Sequence, residues 1–266
     1  MPNVDSRIRD HYAGGNERDR LTAGVGRLEF LRTQELLARI LPPPPAVVLD
    51  VGGAAGVHAG PLTVQGYEVH LIDPVPLHVE QATAVPGLAS ATLGDARALD
   101  WPDASVDAVL LLGPLYHLTE RADRVRALAE GCRVLGPGGV LAAAAISRYA
   151  STLDGLFGGR LREPGFEAII ERDISDGQHR NPDDVPGWFT TAFFHLPDEL
   201  LAEAADARLQ DLSVVAVEGP AGLMPDLDRW LADDREALLR TIRKVESAAA
   251  LIGASPHLLL TGRAKA

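Results

Sequence analysis

The chain has 266 residues, 46% of them hydrophobic and 23% charged, which is the make-up of an ordinary globule long enough to bury a sizeable core. Its formal net charge of −12 argues against nucleic acid as a partner, because a phosphate backbone is held mainly by Lys and Arg. No apolar run is long enough to span a bilayer, and the opening Met1-Pro2-Asn3-Val4-Asp5-Ser6-Arg7 holds no apolar signal core, so the expectation is a cytoplasmic protein with no membrane partner.

Cys132 is the single cysteine, which excludes an internal disulfide, and it falls on the apolar side of a helix with Val125, Leu128, Ala129 and Leu135, where it reads as core filler. No His or Cys pair has metal-ligand spacing, so no metal is expected.

Residues 1 to 27 are polar, with Gly14-Gly15 and Gly24-Val25-Gly26 as breakers around a helical turn near Glu17-Arg18-Asp19-Arg20. From Leu28 to Leu41 apolar residues recur at helical spacing until Pro42-Pro43-Pro44-Pro45 ends the helix. Residues 1–45 thus form an N-terminal helical segment with a stiff spacer, and the main domain occupies 46–266. It opens on Val47-Val48-Leu49-Asp50-Val51, a buried parallel strand, followed by Gly52, Gly53, Ala54 and Gly56 in a sharp turn that brings backbone close to a ligand. Ala54 and Val57 stand where a dinucleotide G-x-G-x-x-G loop needs its second and third glycines, which counts against a nicotinamide oxidoreductase. An alanine at position 54 is expected to keep a negative φ or to widen the turn.

Gly56 to Gln65 is the expected first crossover helix, with Pro61 kinking it. Tyr67 to Asp73 is the second strand, and its terminal acid, about twenty residues past the first glycine, is placed either to accept from two ribose hydroxyls or to cap the chain before Pro74 and Pro76. A helix from Pro76 and a strand near Ala89 to Leu93 lead to Gly94-Asp95-Ala96-Arg97, a second strand-tip acid or an Asx turn. Ser105 to Leu112 is the apolar fourth strand. Gly113-Pro114 then turn the chain so that Tyr116 and His117 project toward the crevice of a doubly wound sheet. Thr119 is expected to cap a helix to Leu135, Gly136-Pro137-Gly138-Gly139 to stop it, and Val140 to Ile146 to form strand five.

Taken together, the Asp50-x-Gly52-x-Ala54-x-Gly56 loop, the acids Asp73 and Asp95, Leu112-Gly113-Pro114-Leu115-Tyr116-His117-Leu118 and the Leu135-Gly136-Pro137-Gly138-Gly139 turn resemble class I S-adenosylmethionine (SAM) methyltransferases over about residues 46–147. More narrowly they are similar to actinobacterial small-molecule methyltransferases, which also carry a Tyr and a Glu-x-x-Arg near the N-terminus, here Tyr12 and Glu17 to Arg20. The resemblance implies an α/β, Rossmann-like fold with a seven-stranded, mostly parallel sheet and an antiparallel edge hairpin. It implies SAM as cofactor, S-adenosylhomocysteine as product, and a monomer or homodimer acting on a small molecule. Asp50, Gly52, Gly53, Ala54, Gly56, Asp73, Pro74, Asp95, Ala96, Arg97, Leu112 and Tyr12 would then hold the cofactor, Asp95 and Ala96 at the adenine, with residues 1–27 closing over it.

Residues 148 to 196 break the strand-helix rhythm and are rich in aromatics, so they read as a cap over the substrate, or as a satellite core under a long loop. Phe157, His179, Trp188, Phe189, Phe193 and His195, with Tyr116 and His117, are the candidate acceptor contacts. Methyl transfer needs alignment and often a proton acceptor; His117 is the candidate base and Tyr116 the wall beside the methyl group. An aromatic or heterocyclic specialised metabolite is the expected acceptor, methylated on N, O or C. The resemblance adds the indole of a tryptophan-containing cyclic dipeptide. A SAM-binding protein without chemistry is the remaining alternative. Beyond the cap, a helix from Pro197, a strand Leu212 to Val217, helices within Asp226 to Ile252 and a strand His257 to Thr261 complete the chain.

Overall fold

The computed structural model describes residues 21–265, so Tyr12 and the 17–20 turn lie outside it. Five strands, β1 (Val47–Val51), β2 (Glu68–Asp73), β3 (Ser90–Leu93), β4 (Val106–Leu111) and β5 (Leu135–Ser147), run parallel in the order β3-β2-β1-β4-β5. Of the later strands, β6 (Gln178–His179) and β7 (Ala192–His195) form a short antiparallel pair; β8 (Gln210–Ala216) and β9 (His257–Arg263) form the edge hairpin, with β9 antiparallel to β5. The expected seven-stranded sheet is therefore present as β3-β2-β1-β4-β5-β9-β8. The cap adds β7, which is parallel to the last two residues of β5. Because Ile146 pairs with His257 of β9 on one edge and with Phe194 of β7 on the other, β7 continues the edge used by β4, beyond the end of β4.

Alternating strand side chains build two cores. Leu49, Val51, Val109, Leu111 and Leu141 pack on one face against α5 (Arg121–Val134) and α8 (Pro197–Asp206). On the other face Val48, Val69, Leu71 and Leu110 meet α1 (Gly24–Ile40), α2 (Ala59–Val64) and α3 (Pro76–Ala82). The short α4 (Pro114–His117) follows β4, the cap supplies α6 (Ala150–Phe157) and α7 (Phe166–Asp176), and α9 (Leu227–Asp233) and α10 (Arg235–Arg243) precede β9. Helix α1 is tied down by the buried Arg32, which donates to Val217 O (3.0 Å), Glu35 (2.7 Å) and Glu246 (2.5 Å). No helix among the described residues is long and apolar enough to cross a membrane.

Several elements differ from the sequence reading. Helix α1 starts at Gly24 rather than Leu28, because Asp228 Oδ1 accepts the Gly24 N–H (2.8 Å) and Leu28 packs against Leu227 and Leu231. Helix α2 begins only at Ala59, since positive φ at Ala54 and Gly56 is incompatible with a right-handed helix, and Pro61 falls in the first turn, where its missing N–H costs nothing and no kink arises. Glu120, not Thr119, precedes α5; the Thr119 carbonyl instead accepts from Arg124 and Gln178. Residues 136–139 are not a break between α5 and strand five: α5 ends at Val134, β5 starts at Leu135, and 136–139 lie within it where the register shifts between the Val106–Leu135 and Ala108–Val140 pairs.

Candidate active site

The ends of β1, β2, β3 and β4 surround one cleft, lined by Asp50, the 52–54 turn, Asp73, Pro74, Gly94 to Arg97, Leu112 to Pro114 and Tyr116 to Thr119. Its floor is the glycine turn. Gly52 has φ +69°, and a Cβ there would lie 2.6 Å from the Pro114 ring; its N–H donates to Ile72 O (2.6 Å), locking the turn to β2. Gly56 also has positive φ. Contrary to expectation so does Ala54, at +49°, a conformation costing a non-glycine residue roughly 1–2 kcal/mol. The compensating contact is its N–H, which donates to Asp73 Oδ2 (3.0 Å), a charge-assisted bond of comparable size.

Asp73 is 3% exposed, and in place of the expected cap it makes an Asx turn ahead of α3, whose N-cap residue is Val75 with no side-chain cap. Its Oδ1 accepts the Val75 N–H (2.9 Å) and lies 3.0 Å from His78 Nδ1, while Oδ2 accepts the Ala54 N–H. Asp95 closes an Asx turn onto the Arg97 N–H (2.9 Å) and grips the Arg97 guanidinium, which also binds Asp123 (2.7 Å). Burial opposes ionisation of Asp95, but the bonds from Arg97 prevail and hold its carboxyl below the usual range. Asp50 differs from both. It is 1% exposed, its Oδ2 has no hydrogen-bond partner among the described residues, and a Cβ on Gly53 would come within 2.5 Å of that oxygen. Burial, and then the neighbouring charge of Asp73, push its carboxyl up to about 7.

Pro114 starts α4 one residue after Gly113 and aims Tyr116 and His117 at the cleft. Their ring centroids are 4.6 Å apart, and His117 also stacks on Phe189 of the cap at 5.9 Å. Phe189 is the one predicted cap aromatic that meets these rings. His179 stands one ring further back, stacked on Phe194 (4.6 Å) with Nδ1 2.9 Å from Asp173 Oδ2. The other candidates lie elsewhere. Phe157 is 63% exposed on α6, and Trp188 packs edge-on to Phe166 (5.2 Å) with its indole N–H donated to Glu163. Phe193 lies under the Arg124 guanidinium at 3.5 Å, and His195, fully buried, meets Glu203 at 3.2 Å, its pKa pushed down by burial. Phe157 thus faces solvent while the other three are fastened to the cap's own core or to α5 and α8, and none of the four is among the cleft's described walls.

Among the described wall residues that escaped the sequence reading or were left without a role are four titratable ones: Glu29, His58, His78 and Asp123. His58 is fixed by Gln34 Nε2 (3.0 Å) and by stacking on Phe30 (5.6 Å), both from α1. His78 is the one with a local signal, five residues beyond a strand-tip acid on the helix that follows it.

Residues 49–143 match the family model described as a methyltransferase domain. Over those residues the chain is similar to methyltransferases. A further similarity is 36% identity over 107 residues to an uncharacterized methyltransferase of Mycobacterium tuberculosis, covering 40% of this chain and 42% of the relative. Another is 34% identity over 126 residues to the malonyl-[acyl-carrier protein] O-methyltransferase of Methylococcus capsulatus, covering 45% of each. This chain thus spans less than half the length of these curated relatives. Among solved structures, a SAM-dependent methyltransferase of Thermotoga maritima superposes with TM-score 0.60 over 97% of this chain and 98% of that one, at 18% identity, which is a likeness of fold.

Proposed function

We propose that this chain binds SAM in the cleft at the ends of β1 to β4 and methylates a small acceptor seated against Tyr116, His117 and Phe189. The observation that carries the reading is the convergence of the glycine turn with Asp50, Asp73 and Asp95 at three successive strand tips. These residues fit the cofactor. The Asp50 oxygen without a partner among the described residues suits an ammonium group, a second lone pair on Asp73 Oδ2 suits a ribose hydroxyl, and Asp95 Oδ2, which among the described residues accepts from Arg97 alone, has room for one amino N–H. The match to the methyltransferase family supports the same cofactor.

When bound, SAM supplies a methyl group already activated on a sulfonium sulfur. The chain's own residues then hold the acceptor in line, keep water out and take up its proton. His117 is the proton acceptor in this reading, its ring fixed between Tyr116 and Phe189. The same three rings favour a flat, largely apolar acceptor, since aromatic faces bury area at little entropic cost. An aromatic or heterocyclic metabolite is the substrate class this supports.

The test is incubation of the protein with methyl-labelled SAM and pools of aromatic amines, phenols and indoles. Label in a small-molecule product supports the reading. Binding of NADH in place of SAM, or SAM binding with no label transferred to any pool, contradicts it.

A further inference from the structure

Between α4 and α5 the chain turns through Leu118, Thr119 and Glu120, and the first two line the cleft directly after His117. Leu118 and Glu120 are extended, so the carbonyls of Leu118 and Thr119 fall outside the hydrogen-bond ladders of both helices. One side chain satisfies both. Arg124 reaches back from the first turn of α5, and its Nη1 donates to Leu118 O (2.9 Å) and Thr119 O (2.8 Å).

Arg124 is 2% exposed and is itself held on two further sides. Its Nε lies 3.1 and 3.0 Å from the two carboxylate oxygens of Glu203 on α8, and its Nη2 donates to Glu203 Oε1 (2.7 Å). The guanidinium lies over the Phe193 ring of β7, 3.5 Å from its centroid. Thr119 O also accepts from the Gln178 amide of β6 (3.1 Å), and Gln178 pairs with Phe193 across the two strands. The clamp therefore grips both walls of the acceptor seat. Through Leu118 and Thr119 it fixes the turn that follows Tyr116 and His117; through Phe193 and Gln178 it fixes the β6–β7 pair, and β7 begins three residues after Phe189. A lysine cannot do this. Its ammonium is a point charge, without the planar fork that lets one guanidinium bind a carboxylate, bridge two carbonyls and lie flat on a ring.

We infer that Arg124 is a positioning residue for methyl transfer: with Glu203 it sets the His117 ring against the Phe189 ring, so that proton acceptor and aromatic wall face one acceptor molecule. This rests on the reading of the cleft as a SAM methyltransferase site with His117 as proton acceptor. Neither Arg124 nor Glu203 is among the cleft's described walls, so their effect passes through Leu118, Thr119 and Phe193.

The experiment compares wild type with Arg124→Lys and with the double variant Arg124→Met/Glu203→Leu. Exchanging both members of a buried ion pair for apolar residues of similar volume generally leaves stability level or raises it, so the double variant keeps the fold while the Leu118 and Thr119 carbonyls lose their donor. The His117 imidazole is followed by two-dimensional proton–nitrogen NMR in protein loaded with S-adenosylhomocysteine, its signals assigned by their loss in His117→Gln. Wild type is expected to give one set of His117 signals. Both variants are expected to shift or split that set and to lower label transfer from methyl-labelled SAM to the aromatic amine, phenol or indole pools tenfold or more, with S-adenosylhomocysteine affinity changed less than threefold. His117 signals of the double variant that coincide with those of wild type, or wild-type label transfer in both variants, overturn the inference alone. So does an Arg124→Lys variant with wild-type signals, which leaves Arg124 as a charge partner of Glu203, or loss of cooperative melting in both variants, which makes the clamp a stability element. Wild-type protein that transfers label to no pool overturns instead the methyltransferase reading on which the inference rests.

Discussion

Replacing Asp50 by Asn tests the electrostatics of the cleft without changing its shape. Lifting this carboxyl from 3.8 to about 7 corresponds to about 4 kcal/mol of penalty on its ionised form in the folded protein. The native state keeps the Asp50 proton between these two values while the unfolded chain has lost it, so this group makes stability fall as pH rises from about 4 to about 7, after which its contribution is level. Below pH 4 both states are protonated and Asp50 costs nothing. The neutral amide of Asp50→Asn removes the whole pH-linked term. Thermal melts of the cofactor-free proteins should therefore show the variant gaining on wild type by about 4 kcal/mol between pH 4 and pH 8, on the order of 10 °C in Tm for a chain of this size. Binding shows the opposite preference. An ammonium placed against Asp50 favours its ionised form, so wild-type SAM affinity should rise with pH up to about 7 with proton release on binding below it, and the variant should bind weakly with no such slope. A melting difference that does not change with pH would refute the reasoning.

Asp73→Ala removes a cleft acceptor and strands the Ala54 N–H, so SAM affinity should drop tenfold or more by calorimetry, from bonds of about 1.5–3 kcal/mol each. His117→Ala should lower kcat by roughly 10²–10⁴ while leaving SAM affinity unchanged, the mark of a proton acceptor rather than a cofactor contact. Phe189→Ala should weaken acceptor binding by about 1–3 kcal/mol in steady-state kinetics and spare SAM. Trp188→Ala and Phe193→Ala should instead cost about 3–5 kcal/mol of stability in urea unfolding, because both rings fill cores away from the described cleft walls.

The strand-tip acids and glycine turn could be read from the sequence because each follows an apolar run, and a parallel sheet brings all such ends to one edge. The cap could not be resolved in the same way. Aromatic residues announce burial but not which neighbours they meet: Phe189 turned to the Tyr116 and His117 rings, Trp188 to Phe166, Phe193 to Arg124, and Phe157 to solvent. Ala54 shows a different limit. Its left-handed backbone is stabilised by a bond to Asp73, nineteen residues away, which no local propensity reports. Glu29 was hidden for a related reason, since on an amphipathic helix it reads as a solvated charge until β9 brings His257 beside it.

A crystal structure of the protein with S-adenosylhomocysteine bound tests the central claim most directly. The account predicts the amino group of the ligand on Asp50 Oδ2 and its ribose hydroxyls on Asp73 Oδ2, with the Ala54 N–H still donating to Asp73. A ligand bound elsewhere, or one in this cleft that leaves Asp50 and Asp73 untouched, would contradict it.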